Sequence, residues 1–257
     1  MMTIPAYAKV NLTLAVGDVR PDGYHDLHSV VAPISLCDIV RLESAADIID
    51  ASGIDFGMEN LAVKAARIMR QTSGVSFGVS IGLEKRIPSG AGLGGGSADA
   101  AAVIRGLNTL WNLNWSIDRL VEVAAEVGSD VPALVHGRVV LMEGRGERVR
   151  PWPEGANDKR PLVLFKPDVH GSTPAVYHEF RADDRGKGLN DLQPAACRLY
   201  PEIADALELL KAAGADEVRM TGSGATVFGR AADAGDGRRI MERLSSQGWS
   251  AYVQIAD

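Results

Sequence analysis

Apolar and polar residues alternate from position 8 to position 16. Ala8, Val10, Leu12, Leu14 and Val16 fall on one face, and Lys9, Asn11 and Thr13 on the other. A period of two predicts a half-buried strand. Arg20-Pro-Asp-Gly23 is a turn signal, and residues 27–36 and 38–43 read as two further strands. The period then changes. Leu61, Ala65 and Ile68 at i, i+4 and i+7 predict a helix over Asn60–Thr72. Residues 75–83 read as a strand, and Val103, Leu107 and Leu110 mark a helix over Ala98–Leu110. Asn112-Leu-Asn114 breaks it. Ser116 is placed to cap a helix reaching Val127, with Gly128 at its end. Val139–Met142 is a short strand.

Residues 144–160 lose all periodicity and are rich in Gly, Arg, Pro and Glu. They read as a connection between two halves, 1–148 and 149–257. In the second half, Leu162–Phe165, Asp216–Met220, Thr226–Gly229 and 249–255 read as strands. Trp249, Ala251, Val253 and Ile255 point inward along the last of them. Helices are expected at Pro201–Ala213, from Ile203, Ala206, Leu207 and Leu210, and at 233–247. A sheet with helices on one face accounts for this order, as in ferredoxin-like folds. Residues 181–188 are expected to be a mobile polar loop and a candidate lid. No internal repeat is visible.

Composition narrows the function. The chain has 257 residues, 46% hydrophobic and 23% charged, which suits a globular protein with one large or two small domains. A net charge of −6 argues against nucleic-acid binding. No apolar run reaches the roughly 18 residues of a membrane span, and the first residues lack signal-peptide architecture. Cys37 and Cys197 stand alone and read as reduced thiols. These features predict a cytoplasmic protein.

The densest chemical signal is Ile87-Pro-Ser-Gly-Ala-Gly-Leu-Gly-Gly-Gly-Ser-Ala-Asp-Ala-Ala101, with five glycines between Gly90 and Gly96. Glycines let backbone N–H groups approach an anion, and a helix start behind them adds its dipole. The segment is therefore a phosphate cradle or, failing that, a flexible hinge. It is not a P-loop, because Gly96 stands where the lysine is required. It meets the Gly-x-Gly-x-x-Gly spacing but lacks the second strand and acid of a dinucleotide fold. Ser97 could reach a phosphate oxygen or Mg²⁺, or cap the next helix. Taken alone, Lys9 reads as a solvated strand residue, and Asp130 as a helix cap with Pro132 in the first turn. Asn60 likewise reads as a cap, and Tyr24-His25 as packing after a turn. Thr221-Gly-Ser-Gly224 is a tight turn or a second glycine-lined wall.

Together these segments resemble the GHMP kinase superfamily, and within it the branch that phosphorylates a cytidine-diphospho sugar alcohol for isoprenoid synthesis. The resemblance rests on Ala6-Tyr-Ala-Lys-Val-Asn-Leu12, Arg20-Pro-Asp-Gly-Tyr-His25, the loop Pro88–Ala98, Gly128-Ser-Asp-Val-Pro132, Asn190-Asp-Leu192 and Thr221-Gly-Ser-Gly224. It implies an α+β fold with a ribosomal S5 domain 2-like first half and a ferredoxin-like second half. It implies ATP and Mg²⁺ as cofactors, a small-molecule partner carrying a cytidine diphosphate, and a monomer or weak homodimer.

The resemblance also implies roles. Lys9 and Asp130 match the family's catalytic pair, with Asp130 accepting the proton of the acceptor hydroxyl. Pro88, Ser89, Gly90, Ala91, Gly92, Leu93, Gly94, Gly95, Gly96, Ser97 and Ala98 would wrap the triphosphate. Ser97 is also the candidate for Mg²⁺, and Asn60 would touch the adenosine. Asn11, Tyr24, His25 and Tyr177 would hold the substrate, with Tyr177 as a second stacking face for the cytosine. The loop ends Ser97-Ala98-Asp99 where relatives often carry a second serine, and His170 is assigned no role. The alternatives are another GHMP kinase, acting on mevalonate-like acids, homoserine or a sugar, and a catalytically inactive nucleotide-binding regulator. An RNA-binding protein sharing the first-half architecture is disfavoured by the acidic charge.

Overall fold

The alternation at 8–16 belongs to a much longer element. In the computed structural model, which describes residues 1–51, 53, 60–152 and 157–256, strand β1 runs Met2–Val19 and pairs antiparallel with β2, His25–Ala45. The two strands expected at 27–36 and 38–43 are thus one. Its length lets it serve three partners: β1, then β4 (Gly78–Glu84) along 39–45, and β5 (Val140–Gly144) along 27–31. The two-residue β3 (Ile49–Asp50) and the hairpin strand β6 (Arg148–Pro151) complete the first sheet. Strand β6 lies inside the stretch expected to be an aperiodic connection; four residues offered too short a run for a period to show. Residues 153–156 of that connection lie outside the described residues. Residues 75–77, expected to be strand, precede β4 and do not join the sheet.

Helices α1 (Leu61–Ser73), α2 (Gly95–Leu110), α3 (Ile117–Val127) and α4 (Val131–His136) pack with this sheet around one core. Asn60 accepts from the N–H of Ala62, and Ser116 from that of Arg119, so both caps form as expected. Asn112 and Asn114 take positive φ, 54° and 52°, which explains the break between α2 and α3.

The second sheet has the order β10-β7-β9-β8, from β7 (Leu162–Lys166), β8 (Asp216–Met220), β9 (Val227–Arg230) and β10 (Trp249–Val253). All its pairings are antiparallel, as in a ferredoxin-like sheet. Helices α7 (Pro201–Ala212) and α8 (Ala234–Leu244) follow the expected pattern. Helices α5 (Thr173–Glu179) and α6 (Gln193–Leu199) are too short to have announced themselves. Val163, Phe165 and Val227 face the helices of this half, whereas Leu162, Leu164, Phe228 and Val253 join the first core. The sheet is therefore buried on both faces, which is why Leu162–Phe165 is apolar throughout. Trp249, Ala251 and Ile255 lean on the same first core, as expected.

Strand β1 belongs to both halves. Ala6, Ala8, Val10 and Leu12 lie in the first core, and Leu14 and Val16 in the second. The N–H of Leu14 donates to the Leu189 carbonyl, and its own carbonyl accepts from Asp191.

The segment 181–188, expected to be a mobile loop, is tied down. Ala182–Asp184 forms a 3₁₀ turn. Asp184 is buried and accepts both guanidinium nitrogens of Arg198 at 2.8 and 2.9 Å. Arg185 reaches Asp18, and the N–H of Gly186 donates to Asp191. The polar residues that suggested mobility are the anchors.

Cys37 and Cys197 are both free, and burial pushes both thiols up from their ordinary pKa. Among the described residues no helix is long and apolar enough to cross a membrane.

Candidate active site

The place where β1 passes from one core to the other is polar. The β1–β2 register slips between Tyr7 and Lys9 and again between Asn11 and Thr13. Such bulges break the alternation and re-aim side chains. Lys9 and Asn11 end up buried, each only 3% exposed, so the reading of Lys9 as a solvated strand residue is corrected. A buried ammonium must be paired. Lys9 Nζ donates to Asn11 Oδ1 at 2.8 Å and to the Gly92 carbonyl at 2.9 Å, and lies 3.7 Å from Asp130 Oδ2.

Asp130 stands at the cap position of α4, but its carboxylate makes no capping bond. It faces Lys9 instead, with a side chain that is one-third exposed. The capping role expected from spacing is thus replaced by an ion pair with an open side.

Two glycine segments close over this pair. Gly94 takes φ 70° and is the cap residue of α2, with no side-chain cap of its own. The helix therefore starts at Gly95, not at Ala98. Ser97 sits in its first turn and does not cap it. The first-turn N–H groups of a helix lack intrahelical acceptors, and with the dipole they suit a phosphate. A Cβ on Gly94 would stand 3.1 Å from Lys9 Cγ, so the loop lies directly over the lysine stem. Thr221–Gly224 forms the tight turn between β8 and β9 and is also a second wall. A Cβ on Gly222 would be 3.2 Å from Lys9 Nζ, and one on Gly92 would be 2.5 Å from the Gly224 carbonyl oxygen. Thr221 Oγ1 accepts from the N–H of Asn11 at 2.9 Å, and Asn190 Nδ2 donates to the Met220 and Gly222 carbonyls. Asn11 Nδ2 donates in turn to Ser29. Asn190 and Ser29 support the site from behind. Asn190 could have been found in the Asn-Asp-Leu motif; Ser29 carries no signal in the sequence.

Below the cradle, Lys85 Nζ donates to Asp38 and to Asp99. Asp38 also accepts the backbone N–H of Arg86 and Ile87, which fixes the turn into the loop. Asp99 is buried, and its Oδ1 has no partner among the described residues. Burial pushes this carboxyl up to about 7, against the pull of Lys85. His170, which had no assigned role, packs against Gly90, where a Cβ would collide with its ring.

An aromatic cluster gathers around His25. The His25 ring stands 5.6 Å from Tyr177, tilted 31°, and 5.7 Å from Phe180, edge-on. Its Nδ1–H donates to the Gly17 carbonyl. Burial, with a smaller contribution from Asp130, pushes the Tyr177 hydroxyl above its usual pKa. Tyr24 does not join the cluster. It is 53% exposed and lies under the guanidinium of Arg145, 5.8 Å from its ring centroid. Asn60 caps α1, whose first residue, Leu61, lies near Gly96 at the start of α2.

Residues 60–138 match the GHMP kinases N terminal domain and residues 175–249 the GHMP kinases C terminal. A 4-diphosphocytidyl-2-C-methyl-D-erythritol kinase of Symbiobacterium thermophilum is 39% identical, over 98% of this chain and 98% of its own. The Moorella thermoacetica enzyme of that name is 40% identical over 95% of each. The crystal structure of a 4-(cytidine 5'-diphospho)-2C-methyl-D-erythritol kinase superposes with a TM-score of 0.87 at 37% identity, covering all of both chains. A homoserine kinase from Cytophaga hutchinsonii, 18% identical with a TM-score of 0.71 over 99% of this chain and 95% of its own, shares the fold. The chain belongs to the GHMP kinases, and within them to the 4-diphosphocytidyl-2-C-methyl-D-erythritol kinase family.

Proposed function

We propose that this chain transfers a phosphoryl group from ATP to the 2-hydroxyl of 4-diphosphocytidyl-2-C-methyl-D-erythritol, a step in isoprenoid precursor synthesis, with Lys9 and Asp130 as the catalytic pair. The observation that carries the reading is the 3.7 Å pair itself. It sits under a glycine-lined helix start. Phosphoryl transfer asks the protein mainly for positioning and charge neutralisation. Asp130, beside the Lys9 ammonium, accepts the hydroxyl proton as the oxygen attacks. Lys9 holds that hydroxyl and meets the charge on the transferred group. Its ammonium donates to Asn11 and Gly92 and faces Asp130, so it is oriented before substrate arrives.

The segment Pro88–Ala98 wraps the triphosphate through its backbone N–H groups, and Asn60 lies at the adenosine end. His25 and Tyr177 flank the cytosine, with Tyr24 at its outer edge. Residues 1–148 then carry the nucleotide loop and the catalytic pair, and residues 149–257 complete the substrate site.

The site also fits Mg²⁺. The Ser97 hydroxyl, in the first turn of α2, makes no hydrogen bond among the described residues. No group of three or more His, Cys, Asp or Glu among them could hold an ion alone. Ser97 would be one ligand, with phosphate oxygens and water supplying the rest. When bound, Mg²⁺ neutralises phosphate charge.

The test is ATP consumption by the purified protein with Mg²⁺ and the cytidine substrate, beside mevalonate and homoserine. Turnover is expected with the cytidine compound alone. Turnover with either control in its place would remove the substrate assignment.

A further inference from the structure

A cavity of about 210 Å³ opens beside β8, the edge strand of the second sheet. Its lining includes Lys187, Leu189, Asn190, Gln193, Val218 and Arg219, and none of Lys9, Asp130 or the glycine loop. Arg219 is a strand residue only 7% exposed. The β8–β9 register slips between Asp216 and Arg219, where Glu217 takes φ 49°. A bulge of this kind re-aims the side chains beside it.

A buried guanidinium needs counter-charge, and Arg219 receives little. Its Nη1 donates to the Glu217 carbonyl, and the Glu217 carboxylate stands 3.7 Å away. Its Nε has no partner among the described residues. The guanidinium lies over the Phe228 ring, 4.7 Å from the centroid. Burial, with Arg230 beside it, lowers its pKa. Glu217 is shared with Arg160 and Arg230, and both of these also take Asp158. Three guanidiniums thus meet two carboxylates, which leaves one positive charge over. Lys187, exposed and without an ion pair among the described residues, brings a second to the same cavity. Asp184 and Asp191, close by in sequence, are committed to Arg198 and to the N–H groups of Val16 and Gly186.

We propose that this cavity is a second phosphate site, separate from the glycine loop, in which Arg219 and Lys187 hold the phosphate group of a small ester while Leu189 and Val218 receive its organic part. Two surplus charges match a phosphate dianion better than a carboxylate, and a guanidinium fork meets phosphate oxygens in pairs. The volume suffices, since one water takes up roughly 30 Å³ of the liquid. The site also has a route to the reaction. Asn190, on its wall, donates to the Met220 and Gly222 carbonyls, and Gln193 accepts from the N–H of Met220. Gly222 is the wall beside the Lys9 ammonium. An occupant that stiffens this strap acts on turnover; that part rests on the kinase reading above.

The experiment is a titration of the isotope-labelled protein with sodium phosphate and with propyl phosphate, followed residue by residue in amide NMR spectra. Saturable shifts are expected at Leu189, Val218 and Arg219, independent of any at the glycine loop, with propyl phosphate the tighter ligand. Lys187→Glu changes an exposed side chain and is expected to fold. It should weaken both ligands at these amides on the order of tenfold or more and leave the response of the glycine loop unchanged. Arg219→Lys keeps the charge without the fork and should weaken them less. Shifts confined to the glycine loop, or equal affinity in wild type and Lys187→Glu, overturn the proposal. Tighter binding of inorganic phosphate overturns the ester in favour of the free ion. In kinetics at saturating substrates, propyl phosphate is expected to change kcat of the wild type and not of Lys187→Glu. A wild-type kcat that does not move, or an equal change in both, overturns the route to Lys9. Shifts at the cavity in a protein with no kinase turnover would fault the kinase reading and not the site.

Discussion

At the residue scale, the site turns on how two charged groups are placed. Lys9 is buried and Asp130 is half-open, so the carboxylate faces an incoming hydroxyl while its partner stays fixed. Asp130→Asn keeps the shape but removes the proton acceptor. It is expected to lower kcat about 10²–10⁴-fold with ATP affinity near normal, as followed by steady-state kinetics and nucleotide titration. Retained kcat would exclude Asp130 as the base. Tyr24→Ala is expected to raise KM for the cytidine substrate, on the scale of the roughly 1–3 kcal/mol of a lost base stack, and to spare KM for ATP; equal rises in both would remove Tyr24 from the base site. Neither role was readable from spacing. A strand lysine opposite apolar residues looks solvated, and an aspartate before a proline looks like a cap. Only the resemblance pointed to the pair. Burial of Lys9 depends on two bulges and on Gly222, far off in the chain, and no local pattern encodes either.

Elements add a second layer of constraint. The nucleotide loop is pressed between β1 and the β8–β9 turn, and Gly92 is where they meet. It takes φ 72°, and a Cβ there would face the backbone of Gly224, which cannot swing aside. Gly92→Ala is therefore expected to cost about 1–3 kcal/mol of stability and to raise KM for ATP. Denaturant unfolding and kinetics test both, and a near-neutral outcome would mean the two walls are not in contact. The loop itself was plain from its glycines. Its helix start was misplaced by three residues because Gly95 and Gly96 carry no helical pattern.

The anchored turn at 181–188 gives a pH signature. Hydrogen bonds from Arg198 hold the Asp184 carboxyl below its usual value of 3.8. Such a group stabilises the fold above that value, and the contribution is lost as pH falls through and below it. Arg198→Met should lower Tm by a few degrees near neutrality. The gap to wild type should narrow below about pH 4. A gap constant across that range would show that Arg198 acts through packing alone. Polar composition said only that this turn was exposed; which partners it would find lay in Glu179 and Arg198 of neighbouring helices.

For the whole molecule, the fold class was legible because its units are periodic. The ferredoxin-like sheet follows from strands and helices in order, and the helices of the first half from their apolar stripes. The merging of the two cores was not legible. Leu14 and Val16 look like a continuation of Val10 and Leu12, yet they are buried in a different half. With β1 in both cores and the second sheet buried on both faces, the halves should lose structure together. One transition is expected by fluorescence and by circular dichroism. Separate midpoints would show that the halves are independent.

The passage of β1 between cores also bears on the birth of the molecule. Asn11 leaves the ribosome 210 residues ahead of Thr221, which receives its N–H. Gly222, the wall beside the Lys9 ammonium, follows directly. A nascent chain thus carries its lysine and glycine loop for a long stretch of synthesis without the turn that seats them. The lysine is therefore expected to reach its final setting only after the β8–β9 turn has been made.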